Sequence, residues 1–459
     1  MFDLAIIGGT LIDPVTRRLI PANVYLKEGK VAEVSRQAYE AKETVDACGM
    51  YVSPGFIDIH GHIDGNRAMG ELLARQGVTT VINGNCGFGQ KDFPAYFDKL
   101  EKSGFVLNQS QLAGGTTVRE RAGQPDGDAP LTEEQMVKAE QILLEDLEAG
   151  ASGLGFGIEY AQGTTTEEMV RLSRVAARYG KPVSIHVRTD CWAGLAGLKE
   201  AIDLSRKTGV GVIISHVVYQ FGFGMMAQAL QMIEDAVAEG LDISCDSGMY
   251  TSFVTIFQTP VFDESFKERW DCGYDSIYMV SGKYAGQYLT KETYRDAWDS
   301  GTSDLALALI GKPHEIFMAY DLPYMMCSSD AGISGLIGIE EVIHPQDTTT
   351  FPKFIREVVV ENGQLTLVDA ISRITSIPAE RMGLDQKGRL TPGMDADVVV
   401  FDLEKLRGRG EFAHIGNPAA TPEGIKAVIV NGKIAIRDDK IECTTAGKVL
   451  RAPNIPWKL

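Results

Sequence analysis

Residues 55–62 read Gly-Phe-Ile-Asp-Ile-His-Gly-His. In an extended strand, residues i and i+2 share a face. The spacing therefore predicts that His60 and His62 end a strand and point to one spot. Imidazole is the commonest protein ligand for zinc and its neighbours, and two at this spacing are half of a metal site. The chain has only 7 histidines. The alternative is a chance pair on a half-buried strand, and the other reactive side chains decide between the two. Cys86 follows a second apolar run and Glu159 a fourth; His186 lies in a fifth, His216 ends a sixth and Asp330 lies in an eighth. Singly, a strand histidine is usually a satisfied core residue and a cysteine a small hydrophobe. Gathered at the ends of successive strands, they point to a metal site.

The elements that must carry these residues are short and mostly apolar. Eight strand candidates cover 55–62, 79–85, 105–114, 151–157, 182–188, 210–217, 241–248 and 325–332. Such runs suit strands buried on both faces of a parallel sheet. Helical patterns lie between several of them. One is TTEEMVRLSRVAARYG, with acids in its first turn and glycine at its end. Eight β/α units predict a (β/α)8 TIM barrel, whose functional residues sit where the strands end. A doubly wound sheet is the rival pattern.

Residues 1–54 and 388–459 differ in character. Their β-rich runs, split by Gly and Pro, predict one small composite β-sandwich domain built from both termini. The barrel domain then occupies 55–387. Its 250–324 stretch is too long for a simple loop and predicts a lid insertion with helices. Tyr284, Tyr288 and Trp298 read there as lid core rather than a substrate platform.

The motifs extend over nearly the whole chain. VSPGFIDIHGH, QGVTTVINGNCGF (76–88), SIHVR (184–188), SHV (215–217), SSDAG (328–332), HPQDTTTFPKFI (344–355) and GRLTPGMDADVVVFD (388–402) together resemble the metal-dependent amidohydrolase superfamily. The GNCGF segment and the HP…TFP segment resemble, more narrowly, its D-aminoacylase (N-acyl-D-amino-acid deacylase) branch. That resemblance implies that Cys86, His186 and His216 bind the tighter metal, and that His60, His62 and Asp330 surround a second, weaker site. One or two zinc ions are the expected cofactor, since zinc favours sulfur and nitrogen. Glu159 is a further candidate ligand, or else a hydrogen-bond partner of a histidine or of substrate. The resemblance implies hydrolysis of an amide in a small molecule, with Asp330 as the general base and acid.

Several substrate-facing positions depart from the branch. Its Ser-His-His-Lys is here Ser215-His216-Val217-Val218, without the lysine that binds a substrate carboxylate. Its Asp-x-Tyr-Pro-Tyr is here Asp246-Ser247-Gly248-Met249-Tyr250, and its Gly-His pair is Gly114-Gly115. Candidate substrate contacts are Asp246, Tyr250, Arg188, and Lys283 or Arg295 in place of the missing lysine. Arg188 and Asp190 equally suit a salt bridge on the rim. The missing lysine leaves a cyclic amidase of the hydantoinase or dihydroorotase type as the alternative. Aminohydrolase chemistry is less supported, because no essential Glu lies near the strand-5 or strand-6 histidine. A metal-free scaffold is disfavoured because every ligand is kept.

Net charge is −18. Nucleic acid and anionic membranes need clustered positive charge, so neither is an expected partner. No apolar run reaches the ~18 residues of a membrane span. Scattered, odd-numbered cysteines and an N-terminus without a basic region lead us to expect a cytoplasmic protein. The sequence leaves the oligomeric state open, including a homo-oligomer.

Overall fold

The structure is a computed structural model, and residues 1–301, 303–336 and 342–452 are described. All eight predicted runs contain a parallel strand. Phe56–Asp58, Val78–Asn83 and Asn108–Gln111 pair in sequence order in one sheet. Ala113–Gly114, Leu154–Gly157, Val183–His186, Val212–Ile214, Ile243–Ser247 and Met325–Cys327 form a second, again in sequence order. The Leu112 amide donates to the Asn83 carbonyl at 2.8 Å, and the Ser152 amide to that of Gln111 at 2.8 Å, where the two sheets meet. Beyond the first and last strands, Gly61 and Ala331 form a parallel bridge. The chain is thus α/β, with parallel strands ordered as the sequence is.

These strands are buried throughout and most carry apolar side chains, with Val and Ile prominent in Val78–Asn83, Val183–His186 and Val212–Ile214, as a sheet covered on both faces requires. The helix Thr166–Arg178 shows how the crossovers are built. Thr165 caps it by accepting the Glu168 amide, Glu167 and Glu168 occupy the first turn, and Met169, Leu172, Val175 and Ala176 face inward.

Asn108–Gln111 is the exception, a strand of four polar residues that is nonetheless buried. Asn108 Nδ2 donates to the Thr79 carbonyl at 2.9 Å and to Asp397 Oδ2 at 3.0 Å, while Asn431 Nδ2 donates to Asn108 Oδ1 at 2.7 Å. Asp397 in turn accepts from Lys387 Nζ at 2.6 Å, and Asp395 accepts from the same nitrogen at 3.1 Å. Burial pulls the Lys387 pKa down, but the two carboxylates outweigh it and hold it above the ordinary lysine value. This buried knot fastens segments near the C-terminus to the third parallel strand.

The N- and C-terminal runs pair with each other. Val398–Phe401 lies antiparallel to Tyr51–Pro54 in a seven-stranded sheet. A four-stranded sheet of Phe2–Ile7, Asn23–Lys27, Lys30–Ser35 and Ala41–Asp46 shares a buried apolar cluster with it, including Ile6, Leu26, Val52, Val400 and Ile429.

The 250–324 stretch holds helices, as expected, but also a four-stranded antiparallel sheet in the order Ser252–Ile256, Leu305–Leu309, Ile277–Met279, Gln287–Tyr288. Its rings pack on one another: Phe257, Phe262, Phe266, Trp270, Tyr294 and Trp298 lie 5.3 to 5.8 Å apart in successive pairs. Trp298 therefore belongs to this core, whereas Tyr288 is 48 % exposed.

Lys387→Met removes the cation of the buried knot and leaves two carboxylates facing each other. We expect a loss of about 3 kcal/mol or more, read from the denaturant midpoint. Adding Asp397→Asn should recover part of it; a double variant no more stable than the single one would show that charge is not the cause.

Candidate metal centre and cavity

The first parallel strand stops at Asp58, so His60 and His62 lie just beyond it rather than within it as the spacing predicted. The reason is the buried Asp58 carboxylate. It accepts the His60 amide at 3.2 Å, the Ser329 amide at 3.1 Å and the Ser329 hydroxyl, which turns the chain out of the sheet. Burial pushes the Asp58 pKa up to about 6 against these hydrogen bonds. Asp330 and His216 likewise stand just past their strands rather than in them.

Three of the converging residues adopt the left-handed backbone that non-glycine residues seldom take: Cys86 (φ 52°), His216 (φ 30°) and Asp330 (φ 56°). Each costs on the order of 1 kcal/mol and persists only where its surroundings enforce it. At Cys86 one enforcing element is Gly157, where a Cβ would collide with the Cys86 carbonyl.

Cys86 Sγ lies 3.4 Å from His60 Nε2, 3.6 Å from His186 Nδ1 and 3.4 Å from His216 Nε2. Asp330 Oδ1 is 3.1 Å from His62 Nε2 and 3.4 Å from His60 Nε2. Two triads of converging donor atoms result, His60–His62–Cys86 and Cys86–His186–His216, each spanning no more than 4.8 Å. Behind them stand carboxylates. Asp246 Oδ2 meets His60 Nδ1 at 3.4 Å, and Oδ1 accepts the His216 amide at 2.9 Å and the Ser328 hydroxyl at 2.7 Å. Glu159 Oε2 meets His186 Nε2 at 2.8 Å, on the other ring nitrogen from the one facing the thiol. This contact puts Glu159 in the position of hydrogen-bond partner to a histidine, one of the roles open to it.

Burial opposes ionisation of Cys86, but charge on His60 and His216 and hydrogen bonds from His186 and His216 overcome it and hold the thiol well below its usual range. The histidines respond in kind. Burial lowers His62 and His186, yet Asp330, Glu159 and Cys86 lift both to about 9. Asp330 stays below the ordinary carboxyl value despite its burial, because His62, His60 and His216 favour its charged form.

The centre opens into a cavity of about 460 Å³. Other sequence candidates fall outside it. Arg188 is committed to Glu200, at 2.9 and 3.0 Å, and to the carbonyls of Gln162 and Thr164, so it is the rim salt bridge and not a substrate contact. Tyr250 donates its hydroxyl to the Pro345 carbonyl at 3.0 Å, away from the cavity. Lys283 pairs with Asp296 on the surface, and Arg295 lies on the exposed side of its helix. Asp246 is beneath the histidines and does not line the cavity. Asp190 does line it, held by Arg269 Nε at 3.0 Å and Trp270 Nε1 at 2.7 Å; burial, with the Glu159 charge, pushes its pKa up to about 7.

Sequence reasoning missed Tyr160, whose ring centroid is 4.8 Å from that of His186 and whose hydroxyl meets Thr255 Oγ1 at 3.1 Å. Its adjacency to Glu159 was a usable signal. It also missed Gln90 and Lys91, which continue the Cys86 loop, and the wall of Phe253, Val254, Ile256 and Val261. Nothing in that apolar run distinguishes a cavity wall from core.

The profile of the amidohydrolase family matches residues 43–245 and 343–436. The chain belongs to this family. Among similar proteins, the N-acyl-D-glutamate deacylase of Alcaligenes xylosoxydans xylosoxydans is 29% identical, over 94% of this chain and 93% of that one. The N-acyl-D-glutamate deacylase of Bordetella bronchiseptica, solved with zinc and a phosphonate mimic of the tetrahedral intermediate, aligns with a TM-score of 0.88 at 27% identity, covering 98% of this chain and 100% of the other. A D-aminoacylase described for its binuclear metal centre also aligns at 0.88, with 25% identity and the same coverage. This amidohydrolase thus aligns with deacylases over nearly its whole length. Among its described residues, no helix is long and apolar enough to cross a membrane.

The electrostatics predict that the chelator-treated amidohydrolase keeps Cys86 as a thiolate at neutral pH. Its ultraviolet thiolate absorbance should be absent from Cys86→Ala and should fade only on acidification. Absorbance that rises only as pH approaches the ordinary thiol value of about 8.5 would contradict the arrangement.

Proposed function

We propose that this amidohydrolase is a zinc enzyme that hydrolyses the C–N amide bond of an N-acyl-D-amino acid or a related acylated amine. One observation carries the reading: a buried sulfur, four imidazoles and a carboxylate converge at the mouths of ordered parallel strands, in a chain that matches deacylases from end to end. On the same reading, the two parallel sheets are arcs of one eight-stranded barrel, supported by the contacts at Leu112, Ser152 and Gly61–Ala331. Residues 1–54 and 388–452 form the companion β-sandwich, the last seven residues of the expected 388–459 lying outside the described residues, and 250–324 form a lid over a hydrolase domain of 55–387. The expected setting is the cytoplasm.

The donor set fits a zinc-class ion. Tetrahedral bonds of about 2.0–2.3 Å place neighbouring ligand atoms roughly 3.3–3.8 Å apart. The Cys86 contacts of 3.4 to 3.6 Å fall at that spacing, and the His186–His216 nitrogens approach to 3.0 Å. Cys86, His186 and His216 would hold the tighter ion, and His60, His62 and Asp330 would surround a second. Such an ion would lower the pKa of water and polarise the substrate carbonyl.

The protein's own groups do the rest. Asp330 is buried, held in its charged form and placed at the open end of the centre, so it can accept the proton of the attacking water at Oδ1. It then delivers that proton to the departing nitrogen. Glu159 and Asp246 fix the ring orientations of His186 and His60. Phe253, Val254, Ile256 and Val261 exclude water from one side, which strengthens every charge interaction within.

The direct test is hydrolysis by metal-loaded enzyme of N-acetyl-D-amino acids, with hydantoins as the contrast. Turnover of hydantoins alone would favour a cyclic amidase and sink the deacylase reading. Asp330→Asn should keep the fold and the tighter metal yet lose about 10²–10⁴ in kcat; near-normal turnover in a metal-replete variant would remove Asp330 from its role.

A further inference from the structure

An N-acyl amino acid is an anion, and a carboxylate drawn into a cavity needs a donor of positive charge. Apart from its histidines, the cavity is lined by five acids, Asp64, Glu120, Glu159, Asp190 and Asp330. Among the described residues it has one basic side chain, Lys91. Residues 337–341, Ile-Gly-Ile-Glu-Glu in sequence, contain no basic side chain. The other nearby cations are committed. Arg188 is bound to Glu200, Arg269 to Asp190, and Arg119 to Glu168 in a buried pair at 2.6 Å.

Lys91 is differently placed. It follows Cys86 on the same loop, so the segment that brings the thiol to the centre also brings this ammonium to the cavity. Its partner is Glu120 at 3.0 Å, and the two side chains are 74 % and 38 % exposed. An ion pair this exposed contributes little and exchanges readily. The acids deeper in the cavity are already satisfied: Asp64 accepts from Gln90 and Gln111 at 2.9 Å, Asp190 from Arg269 and Trp270, and Glu159 faces His186. Lys91 is the basic group that can turn to an incoming anion without stranding a buried charge.

We propose that Lys91 receives the carboxylate of the substrate, exchanging Glu120 for it on binding. This rests on the deacylase reading and deepens it: Lys91 is the residue that separates acylated amino acids from neutral amides, and Glu120 is the internal competitor.

The test compares an N-acetyl-D-amino acid with its α-carboxamide, reading acetate release from metal-loaded wild type, Lys91→Met, Lys91→Arg and Glu120→Gln. In wild type, kcat/KM should favour the carboxylate. Lys91→Met should lower that preference about tenfold or more, mainly through KM, as loss of a charge-assisted hydrogen bond does. Lys91→Arg should restore most of it. Glu120→Gln should lower KM for the carboxylate. A preference that survives Lys91→Met, or a wild type that never had one, overturns the role of Lys91 and leaves the deacylase reading standing. Hydrolysis of neither compound sinks the deacylase reading, and this assignment with it.

Discussion

The structure is organised around one buried sulfur. Cys86 places an atom that ionises readily within 3.6 Å of three imidazole nitrogens, in a spot that water scarcely reaches. A buried charge of either sign is expensive alone, and this one is tolerated because its neighbours carry the opposite tendency. The consequence spreads outward. Two of the imidazoles near the sulfur have a carboxylate behind them, Asp246 at His60 and Glu159 at His186. Asp246 also holds the His216 main chain and the Ser328 hydroxyl, so one carboxylate ties the first, sixth and eighth strand ends together.

That arrangement demands backbone geometry that regular strands cannot give. His186 reaches the sulfur from within its strand, but Cys86, His216 and Asp330 stand past the ends of theirs and need a turn of the chain to point at the same spot. The left-handed residues at Cys86, His216 and Asp330 make that turn, one after each of three strands. Strain of this kind needs a rigid base, and the base is a buried polar layer, in which the Ser184 hydroxyl meets Asn85 Oδ1 and the Ser215 hydroxyl at 2.9 Å each, set on apolar packing that includes Ile59, Ile82, Leu112, Ile213 and Met326. The Lys387–Asp397–Asn108 knot adds to it by fastening the one polar strand to the terminal sheets.

These levels were unequally legible in the sequence. The parallel strands could be read because most lie in short runs of apolar residues between turn formers. The reactive residues could be read because their types are rare and they fall at strand ends. Their backbone state could not. His60 and His62 look like strand residues until the Asp58 carboxylate, bonded to a serine 271 positions away, is known to end the strand. The 105–114 run was legible as a strand, but the burial of its polar Asn108–Gln111 stretch was not, since it depends on distant partners such as Asp397 and Asn431. The commitments of the basic residues were equally hidden. Arg188 sits beside His186 in sequence, yet its fork is filled by Glu200 and two carbonyls. Lys283 and Arg295 lie in the right segment but on its outer surface. Spacing along the chain identifies which groups can do chemistry; the partner each has already taken is set by contacts across the fold.

Charge gives the last constraint on how the cavity works. With a net charge of −18, the protein repels anions at long range. That repulsion is screened beyond about 8 Å at physiological ionic strength, so it governs approach rather than the bound state. Inside, the apolar wall from the 250–324 segment lowers the local dielectric and magnifies whatever charges face the ligand. The two regimes pull in opposite directions. An acidic exterior does not attract an anion, so selection of one must be local, by groups lining the cavity itself. Asp190, anchored by Arg269 and Trp270, ties that apolar wall to the loop after the fifth strand, so the wall and His186 are positioned as a unit. A cation at the mouth with an exposed, easily displaced partner meets this requirement without placing an unpaired charge beside the thiolate.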